Sequence, residues 1–189
     1  MPAATAYFTI HALAIDQFGV FSAEQARAAG VTPAALFEMV KRERLQKVAF
    51  GLYRDPAVPE SRLTPYSTAV LWPHGTTGVL SHETALALME LSDTNPAAIH
   101  ITVPKAHRPR RRQPPPGVVL HRADLGEDEV GSVDGLPVTT AARTLRDCAA
   151  AGVGPALLRQ ALADARRTGW IQPDQADALA AELMAAGTL

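Results

Sequence analysis

The sequence predicts an α+β protein: a small helical unit closed by a β-hairpin, followed by a mixed α/β domain. Three patterns carry this prediction. Two short helical segments meet at a tight, glycine-bearing turn between Ser22 and Val40. A strand–turn–strand pattern follows at once. Beyond residue 60, β-branched runs are interspersed with longer helical ones.

Taken in order, Tyr7 to Asp16 carries Phe8, Leu13 and Ile15 with alanines between them, which predicts a first helix that Gly19 breaks. Ser22-Ala23-Glu24-Gln25 is a capping box, with Ser22 capping the amide of Gln25 and the Gln25 side chain reaching back. Ala26, Ala28 and Ala29 continue that helix, and Gly30 ends it because glycine enters the left-handed conformation at little cost. Thr32 and Pro33 open the next helix as N-cap and first residue, with Leu36, Met39 and Val40 as its buried stripe. Leu45 to Val48 and Leu52 to Arg54 read as strands around the turn Ala49-Phe50-Gly51. Two helices across a short turn, then a hairpin, is the pattern of a winged helix-turn-helix, which places this domain at residues 1–57.

Pro56, Pro59 and Pro65 mark a linker to a C-terminal domain over residues 60–189. Its expected elements are a helix from Pro65 to Trp72, a short strand at Val79-Leu80-Ser81, and a helix from Glu83 to Leu91. Strands at Ile99 to Val103 and Val118 to Arg122 follow, expected to pair as a long-looped hairpin across the basic, proline-rich stretch 104–117. Leu136-Pro137-Val138 is extended. Thr140 caps a helix through Cys148, and two more helices run over Pro155 to Thr168 and Asp174 to Ala185.

Composition narrows the function classes. Of 189 residues, 47% are hydrophobic and 20% charged, the balance of a globular protein. No apolar run is long enough to span a membrane, and Met1 to Tyr7 lacks the regions of a signal peptide. Cys148 stands alone, so neither an internal disulfide nor a cysteine-based zinc finger is expected, and the cytoplasm is the expected compartment. The net charge of −1 does not announce a polyanion partner. The distribution of charge says more, because phosphates respond to basic patches within a Debye length of ~10 Å, while an isolated run of Lys and Arg is also ordinary solvated surface.

In a helix-turn-helix the start of the second helix meets base edges in the major groove. The candidate DNA-binding residues are Ser22, Gln25, Thr32, Pro33, Ala34 and Phe37, with Lys41, Arg42, Arg44, Gln46, Lys47 and Arg54 reaching phosphates from the helix end and the wing. Glu38 on that face opposes phosphate binding unless it accepts from a cytosine. Lys105, Arg108, Arg110, Arg111 and Arg112 form a second basic cluster, able to add salt-dependent affinity for DNA or to meet an acidic partner or tRNA.

The blocks Gly19-Val20-Phe21-Ser22, Gln25-Ala26, Gly30-Val31 and Gly51-Leu52-Tyr53-Arg54 resemble the antitoxin domain of the AbiEi family. So do Val79 to Ala85, His100 to Pro104, Val119 to Arg122 and Val133 to Thr140 with Ala142-Arg143-Thr144; together they span residues 18–148 in the family's order. The resemblance implies an antitoxin of a type IV toxin–antitoxin system. Such a protein represses its own operon by binding repeats in promoter DNA, and its C-terminal domain counters a nucleotidyltransferase toxin without needing a stable complex. Ala49 and Phe50 stand at the wing tip where relatives often carry arginines, which reduces the grip expected there. Some proteins with this front half continue into an endonuclease domain; the helical end of this chain at Leu189 predicts no such activity.

No enzyme motif emerges. Ser81-His82-Glu83 cannot be a triad by itself, because adjacent residues point apart. His100 and His121 could approach one another, with Asp124 as a third group, but a strand histidine is more often a hydrogen-bonded structural residue, so no metal site or cofactor is assigned. There is no glycine-rich phosphate loop and no nucleotidyltransferase motif, so the chain is not itself the toxin. The alternatives are a stand-alone winged-helix regulator, or a protein-interaction module using the alanine-rich end from Asp164 to Ala186.

Overall fold

The computed structural model describes residues 3–108 and 113–189. The fold is α+β, in two compact units. One comprises the residues up to Gly78 together with His107, Arg108 and Gln113; the other comprises Val79–Ala106 and Pro114–Leu189. Among the described residues no helix is long and apolar enough to cross a membrane.

The first unit runs α1 (Ala3–Ile15), β1 (Val20–Ser22), α2 (Ala23–Ala28), α3 (Pro33–Lys41), β2 (Gln46–Ala49), β3 (Leu52–Arg54) and α4 (Thr64–Leu71). Its sheet is antiparallel in the order β1-β3-β2, with Phe21 opposite Tyr53 and Lys47 opposite Tyr53 on the other side. The capping box forms as the sequence predicts: the Gln25 amide donates to Ser22 Oγ at 3.1 Å, and the Ser22 amide donates to Gln25 Oε1 at 2.8 Å. Gly30 takes φ +81°, which lets the Val31 amide return to the Ala26 carbonyl at 2.9 Å. Thr32 then caps α3 by accepting from the Ala35 amide at 3.2 Å. The core gathers Ile10, Phe21, Ala26, Val31, Leu36, Met39 and Leu45.

The first helix forms as predicted, with a buried face that the sequence reading did not assign, and one expectation changes. The buried stripe of α1 is Ala6, Ile10 and Ala14, four residues apart, whereas Phe8 and Ile15 are 69% and 55% exposed. Small side chains, not the largest ones, let α1 lie close to its neighbours. The proline-marked stretch after β3 is also packed rather than a free linker. Asp55 is fully buried, Thr64 donates to the Phe18 carbonyl at 3.0 Å, and Ser67 donates to the Gln17 carbonyl at 2.9 Å. These bonds carry the compact unit past residue 57, through α4.

The second unit runs β4 (Val79–Leu80), α5 (His82–Leu88), β5 (Ile99–Val103), β6 (Val118–Arg122), a 3-10 turn at Glu127–Glu129, β7 (Val130–Val133), β8 (Leu136–Thr139), α6 (Ala141–Ala150), α7 (Pro155–Thr168) and α8 (Pro173–Ala185). The sheet is mixed, in the order β6-β5-β4-β8-β7. β5 and β6 are neighbours but parallel, with Ile101 opposite Leu120, so they are not the hairpin expected. The segment 104–117 has the length a parallel crossover requires, and length alone does not distinguish it from a long hairpin loop. β7 and β8 do form a hairpin, around Asp134 and Gly135 at φ +51° and +80°, the two left-handed residues of a type I′ turn. α5 packs on β5 and α6, and α6 packs on α7 and α8. Leu80, Leu86, Ile101, Leu145, Leu158 and Leu179 are among the residues fully buried.

Candidate nucleic-acid interface

The outer face of α3 follows from its inner one. With Leu36 and Met39 in the core, Thr32, Pro33, Ala34, Phe37, Glu38 and Lys41 are exposed. Phe37 is 67% exposed, a large apolar ring on a surface with no core duty. The chain leaves α3 through Arg42, Glu43 and Arg44, all exposed, before Leu45 re-enters the core. Glu43 sits at φ +57°, which makes this exit a tight turn. β2 begins immediately with exposed Gln46 and Lys47. Lys41, Arg42, Arg44 and Lys47 therefore follow one another along the turn from α3 to β2.

Neighbours shape this group. The Arg44 guanidinium lies 4.9 Å from the centroid of the Tyr7 ring, a cation–π contact that orients it over α1. Arg42 Nε is 3.7 Å from Glu38 Oε2, with both side chains at least half exposed, so water screens the pair and it holds Arg42 weakly.

Three candidate residues turn polar atoms into the fold, although the buried Nε of Arg54 has no hydrogen-bond partner there. Ser22 is buried in the capping box. Gln25 uses Oε1 there, and its Nε2 donates to Gln17 Oε1 at 2.7 Å. Arg54 is half-buried, and its Nη2 donates to the Val58 carbonyl at 3.1 Å. These groups brace the unit from within.

In the second basic cluster, the Lys105 backbone amide donates to Asp124 Oδ1 at 3.0 Å, and Arg108 Nη1 donates to the His107 carbonyl at 3.1 Å. Arg110, Arg111 and Arg112 lie outside the described residues.

The second unit holds a group the sequence reading assembled only in part. His100 and His121 meet, with His100 Nδ1 and His121 Nε2 3.0 Å apart. The third member is His82, whose ring stacks on His121 at 3.6 Å between centroids. Asp124 does not join; its Oδ1 accepts from the Lys105 amide. Burial lowers the pKa of all three imidazoles, that of His82 to about 3, so His82 is neutral at pH 7. The sequence signal for His82 was its place in Ser81-His82-Glu83; nothing in the sequence joined it to the other two.

Residues 9–54 match the family described as "Transcriptional regulator, AbiEi antitoxin". The family resemblance read from the sequence holds over this stretch, which runs from the middle of α1 through β3. No curated protein matches the chain. Among solved structures, the RV2827C protein from Mycobacterium tuberculosis is similar with a TM-score of 0.44 and 16% identity, over 91% of this chain and 79% of that one.

Proposed function

We propose that the first unit is a winged helix-turn-helix that binds duplex promoter DNA, and that the chain is an antitoxin repressing its own operon and countering a nucleotidyltransferase toxin. The observation that carries this reading is the uncovered outer face of α3, with four exposed cations leading from its end into β2. The AbiEi antitoxin match over residues 9–54 supports the same reading.

In this reading α2 braces α3, and the exposed start of α3 (Thr32, Pro33, Ala34 and Phe37) enters the major groove. Phe37 packs against thymine methyl groups or sugar edges. Lys41, Arg42, Arg44 and Lys47 neutralise phosphates and fix the register, and Gln46 donates alongside them. β2 and β3 are the wing, with a weakly charged tip. The second unit acts against the toxin, and the chain carries out no reaction of its own.

The test titrates the protein against its own promoter duplex and a scrambled duplex at two salt concentrations. The reading expects promoter binding at least ~10³-fold tighter than scrambled. Replacing Lys41 and Arg42 with alanine lowers the slope of log K against log salt by about 1.8, since each phosphate contact contributes about 0.9. Equal binding to both duplexes leaves a non-specific basic surface. No binding at either salt overturns the repressor reading.

A further inference from the structure

We propose that His82, His100 and His121 form a binding site for a divalent transition-metal ion of the Zn²⁺ class. The inference is independent of DNA binding, and it rests on a cluster in the second unit.

The topology builds the cluster. In the parallel pair, His100 lies opposite Val119 and Thr102 opposite His121, which puts the two histidines diagonally on one face of the sheet. β4 pairs antiparallel with β5, and the Ser81 amide donates to the His100 carbonyl at 3.0 Å. That bond sets His82, the first residue of α5, beside the two strand histidines. The ligand-capable nitrogens of the three rings all lie within 4.8 Å of one another. A tetrahedral ion with bonds of about 2.1 Å holds its ligands about 3.4 Å apart. The His100–His121 pair at 3.0 Å is already at that scale. His82 is stacked face to face on His121, with centroids 3.6 Å apart and 16° between the ring planes, so its ring must turn out of the stack before its in-plane lone pair meets theirs, a rotation about the broad terminal torsion of histidine.

The donor chemistry agrees. Three imidazoles with no thiolate select Zn²⁺, Co²⁺, Ni²⁺ or Cu²⁺ over Mg²⁺ and Ca²⁺. The environment keeps these rings neutral, the form that binds metal. An outer shell is also in place. Thr102 Oγ1 donates to Ser81 Oγ at 2.8 Å, and Ser81 Oγ lies 3.0 Å from His82 Nδ1, so Nε2 is the nitrogen left for an ion. The negative charge of Glu83, which acts on His100, offsets a dication. His82 holds φ +54°, a left-handed backbone that costs on the order of 1 kcal/mol for a residue with a Cβ. The conformation gains a purpose if His82 must face both strands. Three protein ligands leave a fourth position for water or a partner's side chain.

The test strips the full chain with a chelator and titrates it with Zn²⁺ against a chromophoric competitor, and separately with Co²⁺ followed by visible absorption. The expected result is one equivalent bound, with the intense visible bands of four- or five-coordinate Co²⁺. Replacement of His82, His100 or His121 with glutamine weakens binding by at least about 100-fold, and Ser81→Ala by about 10-fold, the scale of outer-shell effects. His107→Ala binds as the unmodified chain does. Circular dichroism checks that each variant folds; if the glutamine variants do not, the Co²⁺ spectrum of the unmodified chain decides. Absence of Zn²⁺ uptake, an octahedral Co²⁺ spectrum, or an equivalent retained when all three histidines are replaced overturns the assignment.

Discussion

Asp55→Ala tests whether the stretch after β3 is part of the N-terminal core. Asp55 is fully buried. Its Oδ2 is 2.8 Å from His11 Nδ1, and its Oδ1 accepts from the Ala57 amide at 2.9 Å and from the Tyr7 hydroxyl at 3.4 Å. Its own amide donates to the Gly19 carbonyl at 2.9 Å. One carboxylate thus ties α1 to the turn that follows β3. A hydrogen bond to a charged group is worth about 1.5–3 kcal/mol. The His11 and Ala57 bonds are short, and the Tyr7 bond is long. His11 and Ala57 also have access to water, so neither is stranded by the loss. We therefore expect about 3 kcal/mol of destabilisation, below the sum of the separate bonds. For a unit of this size that lowers the melting temperature by about 12–24 °C. Asp55→Asn, which keeps the shape and one acceptor, should fall between the two. Thermal unfolding followed by circular dichroism reads the result. A shift below about 3 °C would refute the argument and leave the proline-marked stretch after β3 as a linker.

Two further outcomes are expected. The pKa of His82 falls from 6.5 to about 3 on folding, so between these values the unfolded chain binds the additional proton and stability is lost as pH falls. At about 1.4 kcal/mol per unit, lowering the pH from 6.5 to 5 costs about 2 kcal/mol through His82 alone, and His100 and His121 shift in the same direction. Urea unfolding of metal-free protein at pH 7 and pH 5 should show this loss, and His82→Gln should reduce it; equal stability at both pH values would count against it. Cys148 is fully buried, and burial together with the charges of Glu83 and Asp147 pushes its thiol up to about 12. A disulfide exchange reagent should leave the native protein unlabelled and react with one thiol per chain in denaturant; rapid native labelling would mean the helix layer around α6 opens readily.

Local chemistry was legible in the sequence, and long-range geometry was not. The capping box at Ser22, the Thr32-Pro33 start of α3 and the limits of α7 each depend on residues a few positions apart. Thr140 occupies the N-cap of α6 as expected, though its side chain makes no capping bond. β7 was missed because Gly131 and Ser132 are poor strand formers, although Asp134-Gly135 beside Val133 and Leu136 was a hairpin signal. Whether β5 and β6 run parallel or antiparallel depends on where the rest of the sheet lies, and neither strand encodes that. Asp55 stands at the end of the predicted first domain with no assigned role, since burial of a lone acid depends on partners such as His11, 44 residues away. The histidine cluster had the same obstacle: residues 82, 100 and 121 meet only because β4, β5 and β6 are adjacent.

The parallel pairing of β5 and β6 also sets how the chain between them can change in length. A hairpin loop joins two ends on the same side of a sheet and can shrink to two residues. Here Val103 ends one strand at the edge opposite to where Val118 begins the next, so the segment must first travel back along the five-residue strand, about 17 Å at ~3.3 Å per residue. The fourteen residues 104–117 could reach nearly three times that distance if fully extended. Removing a few leaves the register intact, whereas trimming to fewer than about six pulls the strands apart or reverses one of them. Insertions meet no such bound, because each doubling of a loop costs only about 0.6 kcal/mol. This connection has a floor on its length and almost no ceiling.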